Sequence, residues 1–260
     1  MSSRKQQQVQ ARAEREARER AQAHSDRRRR QLLQLGGVLA AAAAIVVVLV
    51  LVSQGGKDAP NASSGAAVTG AGEVREMLAG IPQDGTRLGD PKAPLVLTEF
   101  ADLQCPFCGQ YAIGVLPQII ERYVRTGKLR LELRVRSFLG PDSVVAARAA
   151  YAAATRDRLW NFADLLFRNQ GTENSGYVTD EFLGQIATAA GVPPALVAAD
   201  KTQTAALQRQ LDSAESEAQA AGLSSTPAFL VGSRAATGTA LELSALTFDA
   251  FSAALQPHLR

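Results

Sequence analysis

The chain has two cysteines, and they stand three positions apart as Cys105-Pro106-Phe107-Cys108. No other feature restricts so tightly what this chain can fold into. Before the pair, Leu95-Val96-Leu97-Thr98-Glu99-Phe100 is a short apolar run suited to a strand covered on both faces. After it, the residues from about Pro106 to Arg125 have a helical pattern that Gly127 stops. Leu129 to Phe138 then alternates, with Leu131, Leu133 and Val135 on one face and Arg130, Glu132, Arg134 and Arg136 on the other. The cysteines therefore fall at the strand-to-helix junction of a strand–helix–strand unit. Pro106 takes the first helical position, where its missing N–H costs nothing.

That placement has chemical consequences. Unsatisfied backbone N–H groups and the positive end of the helix dipole favour a thiolate at Cys105. A lower thiol pKa makes Cys105 both the attacking group and a good leaving group, and Cys108, one turn on, can reach the same sulfur and resolve a mixed disulfide. The competing readings of a C-x-x-C are half of a zinc site or two unrelated buried cysteines. A tetrahedral zinc site wants four Cys, His or carboxylate ligands, and the chain has two Cys, with its two histidines, His24 and His258, near opposite ends. No metal is expected, and no cofactor beyond a redox-active disulfide. A Ser-His-Asp hydrolase would need His258 as its base with no G-x-S-x-G turn to serve it.

Charge divides the chain. Before Gln31 there are ten Lys or Arg against four Asp or Glu, so the overall net charge of +3 hides a remainder of net charge −3. Nothing basic marks the larger part as a nucleic-acid binder. From Leu32 to Val52 the sequence carries no charge, a length that matches the ~20 residues of a membrane-crossing helix. It is too long for the apolar region of a cleaved signal peptide. Arg27-Arg28-Arg29-Arg30 directly precede it, so the positive-inside rule leaves residues 1–31 as a basic cytoplasmic tail and exports the C-terminal part. Residues 53–88, which open with a stretch rich in Gly, Ala and Ser, read as a flexible tether, and the globular texture starts at about Gly89.

Asp142 to Gly222 is almost entirely helical in pattern, with Asp142 and Ser143 as caps of an Ala-rich helix, a wide apolar stripe through Leu159-Trp160-Asn161-Phe162-Ala163-Asp164-Leu165-Leu166-Phe167, and Thr179 opening a further helix. A helix running to Gly222 follows Pro193-Pro194. Ala228-Phe229-Leu230-Val231 is a short strand, Gly232-Ser233 a turn, and Thr247 to Leu255 a terminal helix.

Three segments carry a resemblance. Leu97 to Cys108 resembles the active-site segment of the DsbA-type branch of the thioredoxin superfamily, Leu159 to Phe167 is similar to that branch's helical domain, and Gly222-Leu223-Ser224-Ser225-Thr226-Pro227-Ala228-Phe229 resembles its cis-proline loop. The resemblance implies an α/β thioredoxin-like fold over residues 89–260, with a helical domain inserted at about 141–222; the uncharged stretch 32–52 separately places one transmembrane helix ahead of it. Pro227 lies 119 residues after Cys108, a gap that such an insertion would fill. The resemblance further implies a cis Pro227 beside the cysteines, whose loop pairs with an extended substrate like an added strand. Thr226, Pro227, Pro106 and Phe107 are then the substrate-contacting residues. Glu99 matches the family's buried acid beneath the site, a proton relay; its alternative is an ion pair with an arginine of the strand Leu129 to Phe138. Two departures stand out: Phe107 occupies the place of the family's frequent histidine, and no lysine partners Glu99.

The leading functional expectation is an oxidase, anchored by a single pass in the cell membrane, that donates the Cys105–Cys108 disulfide to exported proteins bearing cysteines. A membrane redox partner would reoxidise it. A reductase or isomerase of the same fold, kept reduced by a transmembrane donor, is the first rival. The second is a non-catalytic binding or scaffold module with a structural disulfide.

Overall fold

The computed structural model describes residues 68–234 and 237–259. The basic tail, the uncharged span 32–52 and the tether up to residue 67 lie outside the described residues. Among the described residues no helix is long and apolar enough to cross a membrane.

A six-stranded sheet organises the fold, in the order β1 (Gln83–Asp84), β2 (Arg87–Leu88), β4 (Leu129–Arg136), β3 (Leu95–Asp102), β5 (Ala228–Arg234), β6 (Thr237–Ala240). The β3 and β4 strands run parallel over their whole length, with Leu95 opposite Leu129 and Asp102 opposite Arg136; β5 pairs antiparallel on the other side of β3. Parallel neighbours need a crossover, here supplied by α2 (Pro106–Gly114) and α3 (Leu116–Ile119), the second running into a π-helical turn at Ile120–Val124. The expected single helix from Pro106 to Arg125 is thus broken. Pro117 sits in the first turn of α3 and cannot donate an N–H, and Val115 leaves ideal helical geometry at φ −115°.

As the central strand, β3 is buried along nearly its whole length, which accounts for its unbroken apolar character. Its Leu97 joins Tyr111, Phe229 and Phe251 in the main core, whereas Phe100 packs with Leu230 and with Ala218 of a long helix on the opposite face. That helix, Ala205–Ala220, closes the inserted block, which opens with Pro141–Ala154 and continues through Leu159–Arg168 and Asp180–Ala190. Tyr111, Phe229 and Phe251 meet pairwise with ring centroids 4.8–5.2 Å apart, tying the active-site helix to β5 and to the last helix, Phe248–Leu255. Burying three such rings together contributes about 0.5–1.5 kcal/mol per pair beyond the area removed from water.

Four further expectations are corrected. The fold begins upstream of Gly89: the first helix, α1 (Ala71–Leu78), buries Val74 and Leu78, and β1 and β2 extend the sheet. Strands of two residues are too short to show a period, so that segment reads as linker. Asp142 and Ser143 do not cap their helix, whose N-cap is Gly140; Asp142 accepts from the Gly176 N–H and Ser143 donates to Asp102. Gly232-Ser233 is not a turn but lies inside β5, which runs on to Arg234. The helix expected from Pro193-Pro194 to Gly222 is divided into Pro194–Leu196, Ala199–Thr202 and Ala205–Ala220. Thr179 does cap the helix Asp180–Ala190, accepting from the Phe182 N–H at 3.2 Å.

Candidate active site

Cys105 is the N-cap of α2, with extended backbone at φ −67° and ψ 120°, and Pro106 follows at the first helical position. A tight turn feeds it: the Cys105 N–H donates to the Asp102 carbonyl at 2.9 Å. Asp102 is the knot of this turn. Its Oδ1 accepts from the Gln104 N–H and from Ser143 Oγ, at 2.9 and 2.7 Å, and its Oδ2 accepts from the Phe138 and Leu139 N–H groups, each at 3.1 Å. One buried carboxylate therefore holds the cysteine turn, the exit of β4 and the entry to the helical block. From that block Gln170 reaches back, its Nε2 donating to the Leu103 carbonyl at 2.8 Å and the Cys105 carbonyl at 3.1 Å.

The two sulfurs are unequal. Both residues are thiols in the structure, Cys105 with 5% of its surface exposed and Cys108 with none. The difference in exposure is smaller than the helix positions suggest, and the difference in environment is larger. Cys105 is pulled down from 9.0 to about 6, first by the hydrogen bond from the Cys108 thiol, then by the Thr226 side chain and the Cys108 and Phe107 backbone N–H groups, against a desolvation penalty. The helix N-terminus thus contributes after the neighbouring thiol. Cys108 is pushed well above its ordinary value by burial, by its hydrogen bond to Cys105 and by the charges of Cys105 and Glu99.

The Thr226–Pro227 peptide bond is cis, and the Cys105 thiol donates to the Thr226 carbonyl at 3.5 Å. Pro227 precedes β5, whose register against β3 places Ala228 opposite Phe100 and Phe229 opposite Glu99. Phe107 projects from the cysteine loop with 60% of its surface exposed.

Glu99 is buried between Leu133 and Phe229 in the sheet register, and its Oε1 has no hydrogen-bond partner. Burial, then the charges of Asp164 and Cys105, raise it from 4.5 to about 8. The strand's arginines turn elsewhere: Arg134 pairs with Glu132 and Glu217, and Arg136 with Glu215. Of the two readings of Glu99, the geometry has the buried acid. Asp164, also buried, is held by Arg168 at 2.8 Å, one helical turn on. Asp102, Asp164 and Gln170 carry no signal in the sequence that marks them as site residues. Asp164 lies within one of the resembling segments, but no local pattern announces its coupling to Glu99. Among the described residues no three His, Cys, Asp or Glu side chains gather in a way that could hold a metal ion.

A cysteine pair at a strand-to-helix junction, a cis-proline loop against it and a helical block inserted between the two define a thioredoxin-like protein of the DsbA type. The chain belongs to the thioredoxin family, whose model matches residues 83–256. Over 98 residues it is 34% identical to the probable disulfide bond formation protein D of Bacillus cereus, a match covering 37% of this chain and 45% of that one. The chain thus spans a little under half the length of the curated relatives it matches. Among solved structures, oxidised BdbD from Bacillus subtilis superposes with a TM-score of 0.59 at 22% identity, covering 69% of this chain and 97% of that one. Wolbachia pipientis alpha-DsbA1 gives 0.57 at 21% identity, covering 72% and 96%. At such identities these two likenesses speak to the fold.

Proposed function

We propose that the protein is a thiol–disulfide oxidoreductase that donates the Cys105–Cys108 disulfide to cysteine-bearing exported proteins. The observation that carries this reading is the asymmetry of the two sulfurs beneath the Thr226–Pro227 loop. In the oxidised protein a substrate thiolate attacks Cys105 Sγ. A substrate–Cys105 bond forms, the Cys105–Cys108 bond breaks, and Cys108 leaves with the electron pair and takes up a proton. A second substrate thiolate then attacks the substrate sulfur of the mixed disulfide and expels Cys105 as the stabilised thiolate. The substrate dithiol becomes a disulfide, and the protein's disulfide becomes a thiol–thiolate pair. Glu99, raised to about 8 by its burial, is suited to hold or release the proton that Cys108 needs. Thr226, Pro227, Pro106 and Phe107 line the approach as the substrate-contacting set.

Direction follows from the same asymmetry. A thiol held near pKa 6 stabilises the reduced protein, which makes the disulfide a stronger oxidant and favours the oxidase over the reductase. The Phe107 side chain supplies neither charge nor donated hydrogen bond to the thiolate, so the stabilisation rests on Cys108, Thr226 and the backbone N–H groups of Phe107 and Cys108. The uncharged stretch 32–52 behind four arginines supports a single-pass anchor with the catalytic part outside the cytoplasm. A membrane redox partner would then reoxidise the pair.

Equilibration of the full-length protein, in detergent, with glutathione redox buffers tests the direction. A potential well above that of reducing thioredoxins supports the oxidase, and one at or below theirs contradicts it. The activity itself is tested by exchange with a cysteine-containing peptide, which must exceed a Cys105→Ser control.

A further inference from the structure

Arg136 ends β4 opposite Asp102, and it is buried. A buried guanidinium requires partners for its charge and its donors. Its Nε and Nη2 donate to the two carboxylate oxygens of Glu215, both at 3.0 Å, in the two-pronged geometry that only arginine offers. Its Nη1 turns the other way and donates to the Leu223 carbonyl at 3.2 Å and the Ser225 carbonyl at 3.5 Å. Ser225 is the residue before Thr226. The outer plane of the guanidinium lies over the Phe138 ring, 4.5 Å from its centroid, and that ring keeps 44% of its surface exposed.

One side chain thus joins the end of a sheet strand to two parts far along the chain, the last helix of the inserted block and the run into the cis-proline loop, and packs against the exposed ring of its near neighbour Phe138. An ion pair serving stability alone would be complete with Glu215. The bonds to two successive alternate carbonyls just ahead of Thr226 are an additional constraint, and they act on the segment whose next residue meets Cys105.

We propose that Arg136 is a positioning residue for substrate docking, fixing through the Leu223 and Ser225 carbonyls the pose of the Thr226–Pro227 loop against Cys105. The proposal rests on the thiol–disulfide exchange reading above. The partner it serves is an extended cysteine-containing polypeptide, since a loop holding its place beside the sulfur offers backbone groups to a backbone.

The test compares Arg136→Met, Arg136→Lys and Glu215→Gln with the parent full-length protein. It follows steady-state exchange with a cysteine-containing peptide and the pH profile of Cys105 alkylation by iodoacetamide. Losing both carbonyl bonds frees the loop, so Arg136→Met raises KM about tenfold while kcat falls less than about threefold. Because Thr226 moves with the loop, the alkylation midpoint rises from about 6. Arg136→Lys, with a point charge in place of a fork, raises both KM and midpoint in the same direction by a smaller amount. It carries the test if the Met variant does not fold. Glu215→Gln leaves the carbonyl bonds and raises KM by about twofold. Arginine variants that melt earlier but keep the parent KM and midpoint overturn the proposal and reduce Arg136 to a structural ion pair. A parent protein with no exchange above Cys105→Ser overturns the exchange reading itself.

Discussion

The backbone carbonyl of Thr226 stands 3.5 Å from Cys105 Sγ, although 121 residues separate them in the chain. The carbonyl accepts from the thiol, and the Thr226 side chain hydrogen-bonds the thiolate, so one residue attends both protonation states of the sulfur that changes partners.

The alkylation rate of Cys105 in the reduced protein is therefore expected to rise with a midpoint near pH 6. Thr226→Val moves the midpoint upward by removing a donor to the thiolate. Cys108, buried and pushed upward, stays unmodified over the same range. Mass spectrometry after timed iodoacetamide exposure reads both sites, and a Cys108 that reacts first would contradict the assignment.

Glu99 gives a second pH dependence of opposite origin. Burial raises it from 4.5 to about 8, so between those values the folded protein holds a proton that the unfolded chain has released. That contribution to stability is fully present below the unfolded pKa and is lost as pH rises through the folded one. Stability of the oxidised protein, measured by urea unfolding, should fall from pH 5 to pH 8, and Glu99→Gln should flatten that slope. A slope unchanged by the substitution would place the titrating group elsewhere.

Gly109 follows Cys108 directly, and a Cβ there would come within 2.7 Å of Gln170 Oε1. Gly109→Ala therefore pushes Gln170 off the Leu103 and Cys105 carbonyls. The expected loss is about 1–2 kcal/mol, the contribution of two hydrogen bonds, and Gln170→Ala should lose a similar amount. The double variant should lose no more than either alone, because both act on the same contact. Additive losses would show that Gln170 is not the neighbour that gives way.

The sequence discloses the parts of this fold that repeat a local pattern. The run of apolar residues in β3, the alternation in β4 and the proline beside Cys105 are each short-range signals, and the sheet and the active-site helix follow from them. Less is legible at the edges: Arg87–Leu88 is a strand only because β4 lies beside it, and Gln83–Asp84 only because it pairs with Arg87–Leu88. The site divides in the same way. Cys105 and Cys108 announce themselves by spacing, and Thr226–Pro227 only through family resemblance. Arg136 reads locally as one more polar residue on an alternating strand, and its role depends on Glu215 and Ser225, which lie 79 and 89 residues further along the chain. The polar face of β4 that alternation would assign to solvent is instead covered by the helix carrying Glu215 and Glu217.

Trapping of mixed disulfides tests the central claim most directly, because only a protein in which Cys105 attacks and Cys108 resolves leaves the expected trace. Cys108→Ser, mixed with a disulfide-bearing peptide and quenched in acid, should accumulate a covalent adduct at Cys105 to several times the parent level. Cys105→Ser should accumulate almost none. Adducts on Cys108 in the Cys105→Ser protein, with none on Cys105 in the Cys108→Ser protein, would contradict the account.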